Sequence, residues 1–229
     1  MKKQATKIKI CGLTKEKEAD YLNQIHADFA GMVVFFPKSK RNISLDQAKK
    51  IKSALLPEIK TVAVTVSPTL TQISQIAEAG FDLIQIHGDP ANLDIKTAKS
   101  ICEYTSKFSL PILKAFNVSD IDSYNYWQSC PSVAGFVFDA AKPGSGKTFD
   151  WTLLKNLPRS KKLFLLAGGL APENVSNAIC FLHPDGVDVS SGVEFIEKDR
   201  PGKDPYLIQA FAEAVQLADK QLTSKYLSI

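Results

Sequence analysis

The chain has 229 residues, 45% of them hydrophobic and 23% charged, with a formal net charge of +4. That length suits one large α/β domain with a sizeable core, and the balance excludes a disordered or fibrous chain. The small positive charge comes without a dense Lys/Arg block, which argues against nucleic acid as partner, and no apolar run reaches bilayer-spanning length, which argues against a membrane protein.

Met1 to Lys7 is basic but leads into a short apolar stretch broken by Lys9, so it lacks the apolar core of a secretory leader and a cytoplasmic location is expected. Runs rich in Val, Ile, Leu and Phe then recur: Ile8 to Leu13, Phe29 to Phe36, Thr61 to Val66, Leu83 to His87, Pro111 to Phe116, Val133 to Asp139, Leu163 to Ala167 and Gly186 to Ser190. They are nearly continuous in apolar residues, the pattern of parallel strands buried on both faces. Helical periodicity fills the gaps at Leu45 to Leu55, Ile73 to Ala79, Leu93 to Tyr104, Asn174 to Leu182 and Pro205 to Ala218. Ser44 with Gln47 reads as an N-cap, Gly80 as a helix end, and Asp204-Pro205 as a helix start. Strands alternating with helices in this way predict a single (β/α)8 TIM barrel over residues 1 to 229. An open doubly wound sheet usually carries a glycine fingerprint after its first strand, where this chain has Cys11-Gly12-Leu13-Thr14. The segment from Lys220 to Ile229 is polar enough to fray. Cys11, Cys102, Cys130 and Cys180 are scattered without a C-x-x-C pair, so reduced thiols are expected rather than a zinc site or a disulfide framework.

Reacting groups in such a barrel come from the C-terminal ends of the strands. Those ends carry Cys11, the run Lys38-Ser39-Lys40-Arg41, Gln85 and His87, Asp139, Gly168-Gly169, and Asp188 with Ser190-Ser191. Six segments in order resemble the phosphoribosylanthranilate isomerase family: Lys9-Ile10-Cys11-Gly12-Leu13-Thr14; Phe36 to Arg41; Gln85-Ile86-His87-Gly88; Gly144 to Trp151; Ala167 to Leu170 with Pro172-Glu173-Asn174-Val175; and Asp188 to Glu194. Two departures stand out. The third strand ends Thr65-Val66-Ser67 where the family usually shows Phe-Val-Asn, and the segment from Asp139 to Gly144 is short.

The resemblance implies an Amadori rearrangement of a phosphosugar-linked anthranilate without a cofactor or metal. The furanose ring opens with an acid and a base removes the C2 proton. Asp139 is then the natural acid if burial keeps it protonated, and Cys11 the natural base if a nearby cation lowers its pKa. Arg41 would take the anthranilate carboxylate, Gln85 and His87 the amine or sugar hydroxyls, and Gly168, Gly169, Asp188, Ser190 and Ser191 the phosphate. A monomer or homodimer is expected. The run Ala141 to Thr148 ends like a nucleotide-binding loop, but Ala141 stands where its first glycine belongs. The histidine-pathway isomerase with two aspartates is disfavoured by Cys11, and a catalytically silent barrel by the intact acid and base.

Overall fold

The computed structural model describes residues 5–88, 95–117, 123–139, 151–197 and 201–227. Among them eight strands and eight α-helices alternate: β1 (Lys7–Cys11), α1 (Glu18–Gln24), β2 (Phe29–Val33), α2 (Leu45–Ala54), β3 (Lys60–Val66), α3 (Leu70–Glu78), β4 (Leu83–His87) and α4 (Ile95–Lys107). There follow β5 (Ile112–Asn117), α5 (Tyr124–Ser129), β6 (Val133–Asp139), α6 (Thr152–Lys155), β7 (Leu163–Leu166), α7 (Val175–Leu182), β8 (Gly186–Val189), a 3₁₀ turn (Ser191–Val193) and α8 (Pro205–Leu227). Each strand pairs in parallel with its sequence neighbours and β8 returns to β1, closing the ring.

Successive side chains of a strand face opposite ways, and here the alternation separates two apolar layers. Ile8, Ile10, Ala30, Met32, Ile84, Ile86, Phe136, Phe138, Val187 and Val189 pack outward with the helices. Phe29, Val33, Val62, Val64, Leu83, Leu113, Ala115, Val137, Leu165 and Ala167 form the inner cluster. A fully buried aliphatic of either layer contributes about 1.5–3 kcal/mol. By the same parity Lys9, Cys11, Gln85, His87, Asp139 and Asp188 occupy inward positions at or near strand ends, so the polar groups gather where the apolar filling stops.

Local signals set the helix ends. The Ser44 side chain accepts from Gln47 N at 3.1 Å, and Thr69 with Gln72 forms a reciprocal capping box on α3. Gly80, at φ +71°, closes α3, and the Asp204 carboxylate accepts from Tyr206 N at 2.8 Å where α8 starts at Pro205.

Two expectations are corrected. The chain from Lys220 does not fray at once: α8 continues to Leu227, with Leu222 buried, and Asp219 accepts hydrogen bonds from Thr6 N (2.8 Å) and Thr6 Oγ1 (2.6 Å) ahead of β1. Cys102 on α4 and Cys130 after α5 are joined as a disulfide, with Cα atoms 6.6 Å apart, so they are not reduced thiols; Cys11 and Cys180 are free. The fold brings the pair together across 28 residues, which no sequence motif marks.

Candidate active site

One cavity opens at the C-terminal ends of the strands, and all ten residues named from sequence line it: Cys11, Arg41, Gln85, His87, Asp139, Gly168, Gly169, Asp188, Ser190 and Ser191. Among the described residues five buried side-chain polar atoms lack a hydrogen-bond partner, and four of them, Arg41 Nη2, Thr65 Oγ1, Gln85 Oε1 and Asp188 Oδ1, belong to residues of this lining. Buried polar groups are normally satisfied, so such a concentration marks a surface completed by a polar ligand.

On the β1 and β8 side, Lys9 and Asp188 are register partners and their side chains pair at 2.8 Å, with the ammonium fully buried. Burial opposes the charge on Lys9, but Asp188 and Cys11 outweigh it and hold its pKa above the ordinary lysine value. Cys11 shares the inner face of β1 with Lys9. Burial pushes its thiol above the ordinary cysteine value, and Asp188 adds to the rise against the pull of Lys9 and Lys203. The expected cation is therefore beside Cys11, but it does not lower the thiol in the free protein, because desolvation is larger. Asp188 pairs with Lys9 through Oδ2 and leaves Oδ1 without a partner in the same lining as Ser190 and Ser191.

Arg41 reaches in from the loop after β2. Its Nε donates to Glu194 Oε1 at 2.5 Å while Nη2 stays without a partner. Burial raises Glu194, yet Arg41, Lys203 and Lys40 overcome it and bring the carboxyl down to about 2. Gln85 Nε2 and His87 Nε2 lie 2.8 Å apart. Burial, with the fields of Lys114 and Lys9, drops the His87 pKa to about 3, so the imidazole is neutral at physiological pH. Asp139 ends β6, 9% exposed. Its strand is separated from β1 by β7 and β8, so acid and base candidates stand on different walls of the cavity.

Gly168 and Gly169 have φ of +85° and +65° in the loop after β7. The loop after β8 lies directly against it: a Cβ on Gly192 would sit 2.0 Å from Leu170 O. Asn174 steadies the arrangement by accepting from Ala171 N and donating to Gly169 O, each at 2.9 Å. At the departure after β3, Ser67 adopts φ +44°, a left-handed conformation that asparagine tolerates better than serine. The Gly144 to Asp150 part of the fourth matching segment, the shortened segment after Asp139 and the Ala141 to Thr148 run lie outside the described residues. Lys9, Lys203, Glu194 and Thr65 were missed from sequence. The signal for Lys9 was a charge inside the apolar run Ile8-Lys9-Ile10, two residues from Cys11. Among the described residues no group of three or more His, Cys, Asp or Glu is arranged to hold a metal ion.

Closed parallel barrels carry their chemistry on this rim, and a cavity there lined by thiol, carboxyl and neutral imidazole belongs to an enzyme of the (β/α)8 class. The sequence model described as N-(5′phosphoribosyl)anthranilate (PRA) isomerase matches residues 8–214. The N-(5′-phosphoribosyl)anthranilate isomerase of Acetivibrio thermocellus is 36% identical over 194 residues, covering 82% of this chain and 88% of the relative. The phosphoribosyl anthranilate isomerase structure from Thermus thermophilus superimposes with a TM-score of 0.77 at 26% identity, covering 92% of this chain and 98% of that one. A phosphoribosyl anthranilate isomerase in complex with reduced 1-(o-carboxyphenylamino)-1-deoxyribulose 5-phosphate has a TM-score of 0.71 at 30% identity, with coverage of 92% and 98%. The chain belongs to the N-(5′-phosphoribosyl)anthranilate isomerase family.

Proposed function

We propose that this chain carries out its family's isomerisation, converting N-(5-phosphoribosyl)anthranilate to 1-(2-carboxyphenylamino)-1-deoxyribulose 5-phosphate, with Asp139 as the acid and Cys11 as the base. Asp139 gives its proton to the furanose ring oxygen, the C1–O bond breaks, and the anilino nitrogen supplies the electron pair that forms a Schiff base. The Cys11 thiolate then removes the C2 proton, which the iminium has made acidic, and the resulting enolamine tautomerises to the aminoketose. The observation that carries this reading is one cavity with Cys11 and Asp139 on separate walls and unpaired polar atoms on residues of its lining.

Substrate binding follows from those atoms. Arg41 Nη2 is directed to the anthranilate carboxylate, Gln85 Oε1 accepts from the amine or a sugar hydroxyl, and neutral His87 exchanges hydrogen bonds without adding charge. The phosphate goes to the backbone and hydroxyls of Gly168, Gly169, Ser190 and Ser191, where two loops meet. On this reading residues 1 to 229 act as one domain, as a monomer or homodimer in the cytoplasm, on a small phosphosugar. Among the described residues no helix is long and apolar enough to cross a membrane.

Cys11→Ser keeps the shape with a far weaker acid, and Asp139→Asn keeps the shape without a transferable proton. Each is expected to lower turnover at least about 100-fold. Product affinity, measured by titration, should largely survive in both. Near-normal turnover by either variant removes that residue from the mechanism. Because Cys11 titrates above the ordinary thiol value, the limb of the pH profile that it controls should rise on the alkaline side of neutrality.

A further inference from the structure

We propose that Lys9 is the positioning residue of the base: its ammonium, held between the Asp188 carboxylate and the Cys11 sulfur, orients the thiol and stabilises the thiolate once the proton has left. The proposal rests on the reading of Cys11 as base and extends it to a residue that the mechanism above does not use.

The geometry comes from three strands. Lys9 and Cys11 are two apart on β1 and share its inner face. From β8, Asp188 meets Lys9 at 2.8 Å. From β2, the partner of Cys11 is Gly31, and a Cβ placed there would stand 3.0 Å from Cys11 Sγ and 3.2 Å from Lys9 Nζ. One missing side chain therefore makes room for both atoms, which lie around a single point over Gly31. No larger residue leaves sulfur and ammonium together without displacement.

Charge accounting gives the second support. Lys9, Arg41 and Lys203 have side chains 0%, 13% and 0% exposed, while the carboxylates they pair with, Asp188 and Glu194, are 6% and 13% exposed. Lys40 also reaches Glu194, but its side chain is 72% exposed and its charge is hydrated. Acting directly on Cys11 are the two cations Lys9 and Lys203 and the one carboxylate Asp188, so a thiolate there meets more positive than negative charge. The groups around the sulfur are Lys9 on β1, Asp188 on β8 and Lys203 before α8, with uncharged Gly31 on β2. Across the cavity His87 is neutral.

The test reads the thiolate without turnover. In a Cys180→Ser background Cys11 is the remaining free cysteine, and its alkylation by iodoacetamide can be followed against pH and assigned by peptide mapping. Lys9→Met is expected to slow alkylation at neutral pH about tenfold or more, displacing the profile upward by about one pH unit. Its turnover should fall in parallel and recover as pH rises, while product affinity holds. Should the lone buried carboxylate prevent folding, Lys9→Met/Asp188→Asn removes both charges; its profile should move the same way by less, because Lys9 acts on Cys11 more strongly than Asp188 does. An unmoved profile in the folded variant overturns the proposal. A displaced profile combined with near-normal turnover of Cys11→Ser would instead sink the reading of Cys11 as base and leave the Lys9–Cys11 pair standing.

Discussion

Arg41 shows how one side chain is divided between structure and ligand. Its Nε is occupied by Glu194, which fixes the plane of the guanidinium, and Nη2 is left in the cavity wall. Arg41→Ala should lose a charge-assisted bond of about 1.5–3 kcal/mol, one to two decades in affinity. Arg41→Lys should recover part of it, since an ammonium cannot present a planar fork to two carboxylates at once. Titrating product and a product analogue without the aromatic carboxylate checks this. The analogue should bind parent and Arg41→Ala alike, and an equal loss with both ligands would remove the assignment. That Arg41, Cys11 and Asp139 line the cavity was legible in the sequence because it opens at the strand ends and the loops after them. Lys9 was not, since inside an apolar run a lone charge reads as an interruption until the parity of the strand turns it inward. Lys203 had no local signal. Its burial depends on Glu18, which accepts from its backbone N–H at 2.8 Å, and on Ser190, whose carbonyl accepts from its Nζ at 3.0 Å.

At the scale of elements, Glu194 is a joint between two rim segments. It receives Lys40 and Arg41 from the loop after β2, and Lys203 from the approach to α8. Its carboxyl falls from 4.5 to about 2 on folding, so the contribution is fully present above about pH 5 and is lost as pH falls through 2. Glu194→Gln should therefore cost on the order of 2 kcal/mol near neutrality and much less near pH 2. Thermal melts of both proteins across that range give the comparison, and a gap that stays constant with pH would contradict the assignment. Element existence was easiest to read where periodicity was long, as in α2, α4 and α8. The short α1, α5 and α6 were missed: none receives a side-chain cap at its first residue, and α6 has only four residues. The strands β1, β2, β7 and β8 were read one to three residues too long at the rim because buried residues such as Leu13 and Val34 continue past the last paired position, whereas β3, β4 and β6 end where expected and β5 runs one residue further.

Over the whole molecule, the Cys102–Cys130 bond closes a loop of 28 residues that contains part of α4, β5 and α5. Restricting the unfolded chain by a loop of that length is worth on the order of 3 kcal/mol. A reductant should lower the melting temperature of the parent and leave that of a Cys102→Ala/Cys130→Ala variant unmoved; equal responses would place the effect elsewhere. Scattered cysteines give no spacing rule for such a pair, which is why the sequence did not disclose it. The ring itself was legible, because eight apolar runs alternating with helices need both faces covered and the turn after the first lacks the glycine fingerprint of an open doubly wound sheet. Its seam has a consequence for synthesis. Lys9 meets Asp188, and the Cys11 carbonyl accepts from Ser190 Oγ, each across 179 positions of chain. On the ribosome Cys11 emerges long before those partners exist, and until the last strand docks it is an ordinary hydrated thiol beside an ordinary lysine. The cavity is therefore completed only with ring closure, so that an interrupted translation product, however much secondary structure it holds, has Lys9 without its carboxylate and lacks the β8 wall of the cavity.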